Sequence, residues 1–215
     1  MSYDVAAVRS RFPALRAGIA HFDGPGGSQV PDAVAGAVAA AMTSPLANRG
    51  TVTSGERAAD AIVLGARSAM ADLLGVDPRG IVFGRSMTAL TFDLARTLSA
   101  TWSPGDEIVV TRLDHDANIR PWVSAAQAAG VTVRWLDFDP ATTELDDVAP
   151  LLSDRTRLVA VTGASNLVGT RPDLPAIAGA VHAAGALFMV VGVPLVERGE
   201  VHRGQLPWRT GSTWR

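Results

Sequence analysis

The stretch GDEIVVTRLDHDANIRPWVSAAQAAGVTVRWLDF (105–138) decides the fold. Residues 107–111 are a short apolar run rich in β-branched side chains, which reads as a buried strand. Residues 118–129 carry a helical pattern that stops at Gly130, and residues 131–136 form a second β-branched run. A strand, a helix of ten or more residues and another short strand make a βαβ unit, whose two strands lie parallel.

Working outward, the same alternation recurs. Residues 81–83 read as a buried strand and 87–101 as a helix. Residues 145–152 read as a helix, 158–162 as a strand, 174–184 as a helix and 186–191 as a strand. Upstream, residues 4–15 read as a short amphipathic helix. Residues 19–22 read as a strand running into the glycine-rich turn 23–27, and 31–42 as a helix with Pro31 at its first position. Thr53 followed by Glu56 has the form of a capping box, and Ile62, Ala66, Met70 and Leu73 then share one helical face. The pattern contains no internal repeat and no low-complexity linker. It predicts an α/β fold, a mostly parallel sheet covered by helices on both faces.

Composition narrows the chemistry. The 215 residues are enough for one large domain or two small ones, and 47% hydrophobic with 19% charged residues can build a core. A net charge of −2 lacks the basic footprint of a nucleic-acid binder. There is no cysteine, which excludes disulfides, a thiolate nucleophile and a cysteine zinc site, and fits a reducing, cytoplasmic setting. All 19 positive residues are Arg and none is Lys. A P-loop phosphate lysine, a Ser-Lys dyad and a lysine Schiff base are therefore excluded.

Residues 1–16 carry Asp4, Arg9, Arg11 and Arg16 and no apolar core of a secretory signal. Residues 174–196 hold no Asp, Glu or Arg, a length that could span a bilayer. His182, Gly185, Gly192 and Pro194 interrupt this stretch, which reads instead as a helix, a glycine stop and a buried strand. Beyond Val191 the periodicity ends, and residues 191–215 carry four Arg and two Glu.

In doubly wound sheets ligands gather beyond the carboxyl ends of the strands. Four segments lie there. In Gly84-Arg85-Ser86-Met87-Thr88, a helix start could bind a phosphate through backbone N–H groups and hydroxyls, or Ser86 could simply cap the helix. In Asp114-His115-Asp116-Ala117-Asn118, His115 could stack on a flat ring, act as a base or join its neighbouring acids on a metal, or belong to a capped helix start. In 165–170, Asn166 could donate to a ring substituent or sit in a polar turn. The end of 186–191 offers only Val191 and Gly192, neither acid nor base. Gly24-Pro25-Gly26-Gly27 is not a dinucleotide fingerprint, and 84–88 is not a nucleophile elbow, because Thr88 stands where the last glycine belongs.

Six segments in order, HFDGPGGSQVP (21–31), NRG (48–50), IVFGRSMTALTF (81–92), GDEIVVTRLDHDANIRPW (105–122), TRLVAVTGASNLVGT (156–170) and HAAGALFMVV (182–191), carry a resemblance. Together they resemble the class V aminotransferase family, in its cysteine desulfurase-like branch, whose members are fold-type I enzymes using pyridoxal 5′-phosphate. The resemblance implies that Ser86, Met87 and Thr88 form part of a phosphate cradle. It implies that His115 stacks on the pyridine ring, that Asn166 bonds the ring hydroxyl oxygen, and that Asn48, Arg49 and Gly50 lie near the substrate entrance. It also implies an amino-acid substrate and dimerisation through this domain. By the same token, residues 1–18 would be the N-terminal part of the family's small domain, 19–191 a partial large domain and 192–215 a divergent tail, without the C-terminal small domain.

The departures bear on the chemistry. The family strand that aligns with 186–191 ends in an aspartate that pairs with the pyridine nitrogen; here Val191 stands there, and Pro194 follows where a His or Gln is usual. The Schiff-base lysine has no counterpart. A valine facing a protonated ring nitrogen would leave that charge unpaired, at a cost of roughly several kcal/mol. The expectation is a truncated, frame-shifted relative that is inactive alone. Two other functions fit the residues: a non-catalytic interaction protein, prone to aggregate at an exposed sheet edge, and a metal-dependent hydrolase using Asp114, His115 and Asp116.

Overall fold

The computed structural model of the chain describes residues 4–22 and 27–192. The chain divides into two units, 1–69 and 70–215.

The first unit is helical. α1 (Val5–Ser10) starts at Asp4, whose carboxylate accepts the Ala7 N–H at 3.0 Å. The helix read over 4–15 ends at Ser10, because Pro13 cannot continue the ladder and instead opens a 3-10 turn, Pro13–Ala17. α2 (Asp32–Met42) has Pro31 at its N-cap, one position earlier than expected. α3 (Ser54–Leu74) begins with the capping box: Thr53 Oγ1 accepts the Glu56 N–H, and Glu56 Oε2 accepts the Thr53 N–H at 3.0 Å. Residues 19–22, read as a strand, pair with nothing among the described residues, and Phe22 is 94% exposed. The glycine-rich turn falls largely on Asp23 to Gly26, outside the described residues, as do the tail from residue 193 and residues 1–3.

The second unit is an α/β layer structure that begins within the last turns of α3. In chain order it runs α4 (Met87–Ser99), β1 (Glu107–Thr111), α5 (Arg120–Ala129), β2 (Thr132–Leu136), β3 (Thr156–Thr162), α6 (Leu174–Ala183) and β4 (Leu187–Val191). The sheet order is β2-β1-β3-β4 and every pairing is parallel. Alternate side chains split between two cores, as the pleat requires. Ile108, Val110, Leu158 and Ala160 pack with Trp122 and Ala126 of α5 and Ala95 of α4. Val109, Val159 and Val161 pack with Leu174 and Val181 of α6. Helices thus cover both faces, the layer pattern expected from the sequence. The amino ends of the strands are tied down by charge: Glu107 meets Arg134 at 2.6 Å, and Asp106 meets Arg157 at 2.7 Å.

Two elements expected in the second unit are absent. Residues 81–83 form no strand, and Val82 is 70% exposed, because no neighbouring strand pairs with them among the described residues. Residues 145–152 give only a 3-10 turn, Ala149–Leu151. Leu145 is held instead in an antiparallel bridge to Phe138, the Asp146 N–H donates to the Asp137 carbonyl, and Pro150 lacks a donor. The helix read from 118 starts at Arg120, after a 3-10 turn, Asp116–Asn118. Among the described residues no helix is long and apolar enough to cross a membrane.

Candidate functional site

Because the strands are parallel, their carboxyl ends share one edge, where the loops after β1 and β3 meet beside the end of β4. Asp114 is the joint. Its Oδ2 accepts the Thr111 hydroxyl at 2.8 Å and the Thr162 N–H at 2.7 Å, and its Oδ1 accepts the Asn118 amide at 2.9 Å. Asn118 in turn accepts the indole N–H of buried Trp122 at 3.2 Å. One residue beyond Thr162, the Gly163 N–H donates to the Val191 carbonyl at 2.8 Å. This chain of bonds fixes the ends of β1, β3 and β4 relative to one another. Burial pushes the Asp114 carboxyl up to about 6, against the three donors, which favour its charged form. From the sequence Asp114 is read only as a metal ligand beside His115, and Asn118 is given no role. Their spacing from Thr111 and from each other was a local signal; the bond to Thr162 was not.

His115 follows directly. Its Nδ1 accepts the Ala117 N–H at 3.1 Å, so the neutral ring carries its proton on Nε2, and the ring is exposed. The histidine is therefore both a cap and an available aromatic face. Ser86 caps α4: its Oγ accepts the Ala89 N–H at 3.1 Å, and its carbonyl accepts the Leu90 N–H. The Met87 and Thr88 N–H groups have no partner among the described residues, so the first turn of a 13-residue helix keeps two outward donors. Gly84 is required just before it, since a Cβ there would stand 2.5 Å from Leu90. Asn166 is exposed in the turn after β3, with its carboxamide unengaged among the described residues; Ser165 holds the turn by accepting the Leu167 N–H at 3.3 Å.

Ser86 and Met87 line a cavity of about 660 Å³ together with Val191 and Gly192. Thr88, His115 and Asn166 lie outside its lining. Asn48 and Arg49 belong to the first unit, where Arg49 reaches Asp60 at 2.5 Å and Gly50 packs against Glu56. The hydrolase reading loses its acid, because Asp114 is engaged by three donors, and no cluster of three His, Asp or Glu residues able to hold a metal occurs among the described residues.

The family model described as aminotransferase class V matches residues 20–203. The chain belongs to the class V aminotransferases. Among the relatives, an uncharacterised protein of Mycobacterium tuberculosis is 41% identical over 192 residues, covering 88% of this chain and 48% of that protein. A cysteine desulfurase of Pectobacterium atrosepticum is 31% identical, covering 89% of this chain and 49% of the enzyme. Among solved structures, the cysteine desulfurase CsdA of Escherichia coli superposes with a TM-score of 0.78 at 30% identity, over 89% of this chain and 49% of that one. The chain thus spans about half the length of the class V relatives it matches. Its sheet and flanking helices are part of a fold-type I large domain.

The residues present meet a pyridoxal phosphate only in part. Two free N–H groups at the start of α4 suit a phosphate, an exposed imidazole suits a ring face, and a free carboxamide suits a ring hydroxyl. At the end of β4, buried Val191 offers nothing to a ring nitrogen, and the sequence has no lysine for the aldehyde.

Proposed function

We propose that this chain carries the phosphate and ring-contact half of a cysteine desulfurase-like, pyridoxal-phosphate-dependent site for an amino acid, and that it is inactive alone. Met87 and Thr88 hold the phosphate through their backbone N–H groups, with Ser86 fixing the helix start. His115 covers the ring, and Asn166 donates to the ring oxygen. Asn48 and Arg49 belong to the substrate entrance. In the same reading residues 1–18 are small-domain sequence, and 19–191 are part of the large domain.

When bound, pyridoxal phosphate supplies an aldehyde for the substrate amine and an electron-withdrawing ring. This chain's residues can orient that group, but Val191 cannot balance a protonated ring nitrogen, and without a lysine covalent attachment has no side-chain partner. Binding is therefore weak, reversible and without turnover. The supporting observation is the joined carboxyl edge, where Asp114 ties the His115 loop to β3 and Gly163 ties β3 to β4.

A titration with pyridoxal phosphate followed by visible absorbance tests the reading. Saturable binding weakened about tenfold in both His115→Ala and Asn166→Ala is expected, about 1.4 kcal/mol each. Binding indifferent to both substitutions refutes the assignment.

A further inference from the structure

Among the described residues Thr143 is the one residue other than glycine with a positive φ, 62°. It sits after β2 in a tight turn. The Phe138–Leu145 bridge closes that turn, the Asp139 N–H donates to the Glu144 carbonyl at 2.9 Å, and the Thr143 N–H donates to the Asp139 carbonyl at 2.7 Å. These bonds impose the left-handed conformation, which glycine takes freely and a β-branched residue only under strain. Strain of this kind points to a use for the side chain that a glycine could not supply.

The Thr143 hydroxyl lies 2.5 Å from that of Thr170, 27 residues further on, at the end of the turn after β3. Thr170 closes that turn. Its carbonyl accepts the Ser165 N–H at 2.8 Å, and the Ser165 carbonyl accepts the Gly169 N–H at 3.1 Å. Asn166 lies inside the closed turn, with its side chain exposed. Thr170 also borders a cavity of about 490 Å³, lined by Leu145 and Val148 from one segment and by Pro172 and Ile177 from the other. Packing between the two segments is interrupted there, and the hydroxyl pair spans the interruption.

We propose that Thr143 is a positioning residue, which holds the 165–170 turn through Thr170 and so fixes Asn166 where it meets its ligand. This rests on the reading of Asn166 as a pyridoxal-phosphate contact and adds the residue that pre-organises it.

The test compares Thr143→Ser, Thr143→Val and Thr143→Gly in the 215-residue chain by pyridoxal-phosphate titration, amide hydrogen exchange of the free chain and urea unfolding. Serine keeps the hydroxyl, valine keeps the shape and the strain, and glycine gives up both. Binding is expected to follow the hydroxyl: unchanged in Thr143→Ser and weakened about threefold in both Thr143→Val and Thr143→Gly, the size of one neutral hydrogen bond. Exchange at Ser165 and Gly169 is expected to quicken in the same two variants and not in Thr143→Ser. The urea midpoint is expected to follow the backbone instead, and to be higher in Thr143→Gly than in Thr143→Val. In the Asn166→Ala background no Thr143 substitution is expected to weaken binding further.

Binding that tracks the urea midpoint, a loss that persists on top of Asn166→Ala, or unchanged exchange in Thr143→Val overturns the positioning role while leaving the cofactor reading intact. Binding indifferent to Asn166→Ala refutes the cofactor reading itself, and the role of Thr143 falls with it.

Discussion

Asp114 Oδ2 accepts the backbone N–H of Thr162 at 2.7 Å, joining the loop after β1 to the last residue of β3 across 48 positions of sequence. Replacing this carboxylate leaves a buried N–H, a hydroxyl and an amide without their acceptor. Asp114→Ala is expected to lower stability by roughly 2–4 kcal/mol, since bonds to charged acceptors are worth more than neutral ones and orphaned donors add their own cost. A fall in the urea midpoint at unchanged slope checks this.

The same carboxyl sets a pH dependence. Its folded-state value of about 6 lies above the ordinary 3.8, so between these values the folded chain binds more protons than the unfolded one. The Asp114 contribution therefore weakens as pH rises from about 4 to about 6 and is flat above, with a slope of at most about 1.4 kcal/mol per pH unit. Asp106 and Glu107 are held low by Arg157 and Arg134 and by their other hydrogen bonds, and act in the opposite sense at lower pH. Urea unfolding of wild type and Asp114→Asn from pH 4 to 7 isolates the effect. The variant is expected to lose the Asp114 share of the slope.

Trp122 and Trp135 give a packing contrast. Trp122 is fully buried and donates to Asn118, whereas Trp135 is 36% exposed under the Arg112 guanidinium, 4.9 Å away. Trp122→Ala is expected to cost about 3–5 kcal/mol, and Trp135→Ala about 1 kcal/mol. Denaturant titration of the two variants decides it.

Glu56 tests the helical unit separately. Its carboxylate accepts the N–H groups of Val52 and Thr53, so Glu56→Ala removes half of the capping box. A loss of about 0.5–2 kcal/mol, confined to amides near the start of α3, is expected in hydrogen exchange.

Local patterns were legible wherever a signal was complete within a few residues. The four strands lie within two residues of their expected bounds, and the Thr53–Glu56 box forms as read. What failed depended on partners distant in sequence. An apolar run such as 81–83 looks the same whether or not a neighbouring strand exists to pair with it. The helical pattern at 145–152 yielded to a bridge between Leu145 and Phe138 that spacing cannot reveal. At the site, Ser86 and His115 were readable as caps at helix starts, and each does cap. Asp114 was visible only as a neighbour of His115, because its bond to Thr162 comes from the fold.

The most direct test of the account is borohydride reduction of the purified chain with pyridoxal phosphate, followed by peptide mapping and an assay for sulfide release from cysteine. The sole backbone amine is the α-amino group of Met1, and no side chain carries a primary amine. The expected result is no sulfide and no reduced adduct anywhere but on that terminus. An adduct within residues 81–192, or cofactor-dependent turnover by these 215 residues alone, would contradict it.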